Sequence, residues 1–180
     1  MPNLIALAAL LLWPAITAVL FRRLPPGRAL AATLVAGYLL LPTPPAALDL
    51  AVLPPLTKDT IPALSALIMV LVLHRPGLKL LPDSILARIL LAMFVFGPVG
   101  TVMTNTEPLY WGVLTLPGLN LREMVAMILM QAITILPLLL GRHFLSRPED
   151  QRDLLAALML VELRLESFEK GEEIGRASCR

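Results

Sequence analysis

The sequence predicts an all-α, polytopic membrane protein with about five transmembrane helices and a truncated sixth. Three observations carry that prediction. Of the 180 residues, 57% are hydrophobic and 16% charged, at a mean hydropathy of +0.79. Soluble domains carry about 25% charged residues. The apolar residues are gathered into blocks, and the loops between them hold prolines and cations. Those cations crowd every second loop, the pattern left when basic loops are retained on the cytoplasmic side.

The same totals exclude other classes. A net charge of +2, spread thinly, is no nucleic-acid footprint. A single cysteine, Cys179, permits neither a disulfide framework nor a thiolate metal site. The apolar run from Leu4 to Leu12 has no basic residue before it, and Arg22 and Arg23 follow it. A secretory signal carries its positive charge in front, so this run reads as a retained first span with its N-terminus outside the cytoplasm.

Span one, Leu4 to Phe21, is about 27 Å long as a helix, close to the roughly 30 Å hydrocarbon core. Pro14 inside it is tolerated in lipid when neighbouring helices satisfy the carbonyl it frees. The turn after it holds Pro25, Pro26, Gly27 and the cations Arg22, Arg23 and Arg28. Span two, Ala29 to Leu41, is short and ends at Pro42, Pro44 and Pro45. Ala46 to Leu53 is apolar again, so either the span is simply short or this segment re-enters the protein interior. Span three starts at Thr60, an N-cap type, with Pro62 in its first turn. It runs to Leu73 and leaves through His74, Arg75, Pro76 and Gly77.

Asp83 or Ser84 is placed to cap span four, Ile85 to Val102. Gly97-Pro98-Val99-Gly100 predicts an interruption there: a kink, an early end, or a broken helix of the kind transporters use at a binding site. The loop from Asn105 to Asn120 holds Glu107, Tyr110 and Trp111, the two aromatics suiting the headgroup belt. Span five, Met124 to Leu140, is announced by Asn120-Leu121-Arg122-Glu123, an asparagine capping box. Met124, Met127 and Met130 form a stripe, and Gln131 is expected to hydrogen-bond to a neighbouring helix. Ser146-Arg147-Pro148-Glu149 repeats the capping pattern, so a sixth helix starts near Arg147 with Leu154, Leu155, Ala157, Leu158 and Leu160. Glu162, Arg164, Glu166, Glu169 and Lys170 follow. A charge at mid-membrane costs about 2.5–3.5 kcal/mol, so this helix stops half-way.

Counting cations gives the orientation. The loops after spans one, three and five hold Arg22, Arg23, Arg28, then Arg75, Lys79, Arg88, then Arg142, Arg147, Arg152; the other two hold Lys58 and Arg122. Basic loops are therefore expected in the cytoplasm and the N-terminus outside. Residues 1–160 read as one transmembrane domain and residues 161–180 as a charged tail. Ile174 to Arg180 is what the codons ATC GGA AGA GCG TCG TGT AGG would encode, which reads as a translated sequencing adapter, the alternative being a genuine charged tail. The natural reading frame is accordingly expected to end between Leu160 and Glu173.

Ionisable residues in a membrane are functional candidates, but nearly all of these sit at span ends. His74 and His143 are flanked by arginine at span boundaries and read as anchors; two isolated histidines make no ligand set. Asp49, Asp59, Glu107, Arg122 and Glu123 lie on the outer side. They are candidates to line a site for an anionic or glycan substrate, Glu107 and Arg122 foremost, or else serve solvation and helix capping. The sequence holds no glycine-rich phosphate loop, no zinc pattern and no nucleophile elbow, so no catalytic residue, metal ligand or cofactor is expected.

The stretches LPPLTKDTIPALSAL and NLREMVAMILMQAITILPLLLGRHFLSRPEDQRDLLAAL resemble the N-terminal half of bacterial O-antigen ligase and polymerase-like membrane proteins, over roughly Met1 to Leu160. The resemblance implies a metal-independent glycosyltransferase of the bacterial inner membrane, N-terminus periplasmic. Such enzymes move a glycan from an undecaprenyl diphosphate carrier to an acceptor on the periplasmic face. The family's essential arginines and histidine lie in a large periplasmic loop between later spans. No loop here corresponds to it, so no catalytic residue carries over and this chain is expected to be an inactive fragment. A fragment of a polytopic transporter, or a membrane scaffold without activity, are the alternatives.

Overall fold

A computed structural model describes residues 4–43, 47–48, 55–73, 79–112, 114–159 and 162. Five helices and one hairpin follow in order: α1 (Leu4–Arg23), α2 (Pro26–Leu40), α3 (Ile61–Leu73), α4 (Ile85–Thr104), β1 (Leu109–Trp111), β2 (Leu114–Leu116) and α5 (Leu121–Phe144). A sixth helix, α6, covers residues 148–159. Among the described residues three helices are long and apolar enough to cross a membrane: α1 and α4 with 20 residues each and α5 with 24. The expectation of five spans is thus met at three. α2 has 15 residues and α3 13, short of the roughly 20 a full crossing needs.

Helix boundaries follow local chemistry. α2 begins earlier than expected because Pro26 occupies its first turn, where a missing N–H costs nothing. Arg28 is therefore helical rather than part of the turn. Thr60 does precede α3, but its hydroxyl turns back on Thr57, accepting from the Thr57 N–H at 2.9 Å and donating to the Thr57 carbonyl at 3.2 Å.

α4 is continuous through Gly97–Gly100, so neither an early end nor a broken helix occurs there; of the three expected outcomes a kink alone is compatible with it. Proline removes one backbone bond, and in an apolar surrounding breaking more of them would cost several kcal/mol each. The helix ends instead where side chains take over its carbonyls. Thr104 Oγ1 donates to the Gly100 carbonyl at 2.9 Å, and Asn105 Nδ2 to that of Thr101 at 2.8 Å. At its start Ser84 holds the N-cap position without a side-chain cap bond, and Asp83 pairs with Arg142 rather than capping.

The expected loop between α4 and α5 contains an antiparallel hairpin, Leu109 opposite Leu116 and Trp111 opposite Leu114. Gly112, at φ +59°, takes the left-handed conformation that its tight turn requires. The loop closes on itself at Gly118, where a Cβ would overlap the Thr106 carbonyl. The capping box forms as expected: Asn120 accepts from the N–H groups of Arg122 and Glu123, and Glu123 Oε2 accepts from the Asn120 N–H at 2.7 Å. α5 overruns its expected bounds by about a turn at each end, bringing Arg142 and His143 into its last turn, where cations suit the helix dipole.

α1 packs on α2 and α3, those two pack on each other and on α5, and α4 packs along α5. Two apolar clusters fix the ends of the bundle. One joins Phe21, Ala29, Leu30, Ala66, Val70 and Leu140; the other joins Leu10, Trp13, Leu41 and Ile61. Each cluster takes the end of one helix with the start of the next, so α1, α2 and α3 alternate in direction. Beside the second cluster, Gly37 in the last turn of α2 lets it approach α3 so closely that any Cβ would overlap the Pro62 ring. Leu48 and Leu56 exchange backbone hydrogen bonds at 3.0 Å and join the second cluster. The possible re-entrant segment between them, like the tail from residue 163 onward, lies outside the described residues.

Candidate functional site

Two charged surfaces sit at opposite ends of the bundle. Arg22 and Arg23 close α1, and Arg28 opens α2. Lys79 and Arg88 flank the start of α4, Arg142 ends α5, and Arg147 and Arg152 belong to the α6 region. The first apolar cluster gathers these helix ends, so eight of the nine cations expected on one side lie together; Arg75, and His74 with it, falls outside the described residues.

Long-range pairs tie this basic end together. Arg28 Nε donates to Asp153 Oδ2 at 2.6 Å, holding α6 against α2, and Gly27 gives Asp150 room to approach. The hydrogen bond to Asp153, aided by its charge, holds the Arg28 guanidinium above its ordinary pKa. Arg142 Nη2 lies 3.3 Å from Asp83 Oδ2, and Arg88 Nε donates to the Pro82 carbonyl at 2.6 Å. His143 stacks edge-on against Phe144, ring centroids 4.7 Å apart, as befits an anchoring side chain. Ser146 does not cap α6 through its hydroxyl, which instead reaches the His143 carbonyl at 3.5 Å.

The opposite end carries the residues proposed to line a substrate site. Glu107 is exposed just before the hairpin, and Arg122 is exposed in the first turn of α5. Glu123 spends a carboxylate oxygen on the capping box, and Asp59 is exposed in the turn before α3. Asp49 lies outside the described residues. The hairpin separates Glu107 from Arg122 along the chain, and sequence reasoning did not foresee it. Among the described residues no three His, Cys, Asp or Glu side chains cluster closely enough to hold a metal ion.

The methionine stripe of α5 is half-buried at Met124 and Met130, with Met127 exposed. Gln131 is half-buried too, yet among the described residues its side chain makes no hydrogen bond to another helix, contrary to expectation. Polar atoms do lie deep in the bundle, but elsewhere. Trp13 Nε1, Thr17 Oγ1 and Thr33 Oγ1 are buried without a hydrogen-bond partner among the described residues.

No family model, curated protein or solved structure matches this chain.

Proposed function

We propose that this chain is the membrane-embedded part of a lipid-linked glycan ligase or polymerase, spanning the bacterial inner membrane five times with its N-terminus periplasmic. The glycan reading rests on the resemblance of the segments around Leu53–Leu67 and Asn120–Leu158 to O-antigen ligase and polymerase-like proteins. The observation that carries the membrane and orientation reading is the separation of charge: cations gather at one end of a bundle whose flanks are apolar. In this reading α2 and α3 complete five passes by sitting within the bundle, where their shortness is covered by α1 and α5.

Moving a glycan between lipid-anchored substrates needs convergent cations for the diphosphate and a base for the acceptor hydroxyl. At the end opposite the basic cluster, Lys58 and Arg122 are the cations the sequence supplies, with no histidine. The 180-residue chain therefore does not transfer the glycan, while binding of the carrier is what the resemblance implies. The continuous α4 withdraws the broken helix that would have favoured a transporter. The test is photolabelling in proteoliposomes with a diazirine-bearing undecaprenyl diphosphate oligosaccharide, alongside a transfer assay. Saturable labelling, competed by unlabelled carrier but not by phospholipid, with no transfer product, is expected. Absence of saturable labelling would sink the glycan reading, and product from this chain alone would sink the division of labour.

A further inference from the structure

The face between α4 and α5 is an open trough of about 510 Å³. On α4 it is lined by Ala87, Leu90, Leu91 and Phe94, and on α5 by Ile135, Leu138 and Leu139. Both sets follow the one-face spacing of a helix, so two matching stripes make the walls. From Ser84 to Phe94 the trough is about 15 Å deep, the thickness of one bilayer leaflet.

Its polarity is one-sided. The walls are apolar throughout, and the polar lining residues, Ser84 and Arg142, stand together at the basic end. Arg88 is fastened to the Pro82 carbonyl at the same mouth, and Lys79 precedes it. Ser84 leaves the first turn of α4 without a side-chain cap, so backbone N–H groups and the positive end of the helix dipole also face this rim. A leaflet-deep apolar slot with a cationic rim is the complement of an anionic lipid.

We propose that the α4–α5 trough is a site for one anionic phospholipid, its acyl chain between the helices and its phosphate on Arg142. The proposal rests on the membrane reading but not on the glycan one. Asp83 competes for the same guanidinium. However, that pair is loose at 3.3 Å and its carboxylate is 83% exposed, so it holds Arg142 weakly. The phosphate displaces Asp83 and brings its own apolar chain to fill the walls.

Leu138 is 65% exposed on the trough wall, so Leu138→Trp places a fluorophore there with little disturbance. The variant is reconstituted in phosphatidylcholine vesicles containing a minor fraction of brominated phosphatidylglycerol or brominated phosphatidylcholine. Quenching is taken relative to the unsubstituted protein, which corrects for Trp13 and Trp111. The rim predicts about a fivefold preference for the anionic lipid, the effect of one cation near a membrane surface. Arg142→Gln should abolish the preference, and Asp83→Asn, which frees Arg142, should raise it. Equal quenching by both lipids, no quenching by either because another protein surface fills the trough, or a preference unchanged in both variants would overturn the proposal. Flotation of the protein with vesicles checks insertion separately: failure there refutes the membrane reading, whereas insertion without preference refutes the lipid site alone.

Discussion

Thr17 and Thr33 are fully buried, and neither hydroxyl has a partner among the described residues. A buried hydroxyl without a hydrogen bond gives up its desolvation cost for nothing, about 1–3 kcal/mol. Valine has nearly the same shape and none of that cost. Thr17→Val and Thr33→Val should each therefore raise the thermal midpoint in detergent, by about 1 kcal/mol in stability. A lowered midpoint in either would show that the hydroxyl is bonded, most simply to a water shared with the Trp13 indole. Neither residue stands out in the sequence, because threonine in an apolar helix ordinarily bonds the carbonyl four residues back, as Thr134 does to Met130 at 2.8 Å.

Among the elements, α5 owes its start to two side chains three residues apart. Asn120→Ala should cost about 1 kcal/mol and speed hydrogen exchange at the Arg122 and Glu123 amides, while Asn120→Asp should restore both. Unchanged exchange in the alanine variant would mean the capping box contributes nothing to α5. This box was legible in the sequence because both partners lie within one helical turn. Other features were not. Strands of three residues are too short to show an alternating pattern, so in sequence the hairpin is indistinguishable from loop. Gly97-Pro98 carries a breaker signal calibrated in water, yet α4 runs on through it, as an apolar surrounding would favour. Glu107 and Arg122 could be placed on one side of the bundle from helix directions. The pairs that tie the basic end, Arg28 with Asp153 and Arg142 with Asp83, span 125 and 59 residues, and no local pattern announces them.

For the molecule as a whole, the two apolar clusters put Asp59 and Ser146 at opposite ends. With Cys179→Ser as background, Asp59→Cys should react in intact cells with a membrane-impermeant maleimide and Ser146→Cys should not. The reverse pattern would invert the orientation, and labelling of both would deny that the bundle crosses the bilayer. The order of the helices also bears on how the protein is made. α1 leaves the ribosome before α2 and α3 and is long and apolar enough to cross a bilayer unaided, whereas those two are too short. Each of these shorter helices has α1, made before it, as a packing partner in the finished bundle. α4 has no such welcome, since its partner α5 is synthesised after it. In the membrane reading it stands alone in lipid until then, which its coat of exposed Ile85, Leu86, Ile89, Met93 and Phe96 equips it to do. A polar substitution on that coat would be felt first during synthesis, as failed insertion, before it altered the finished bundle.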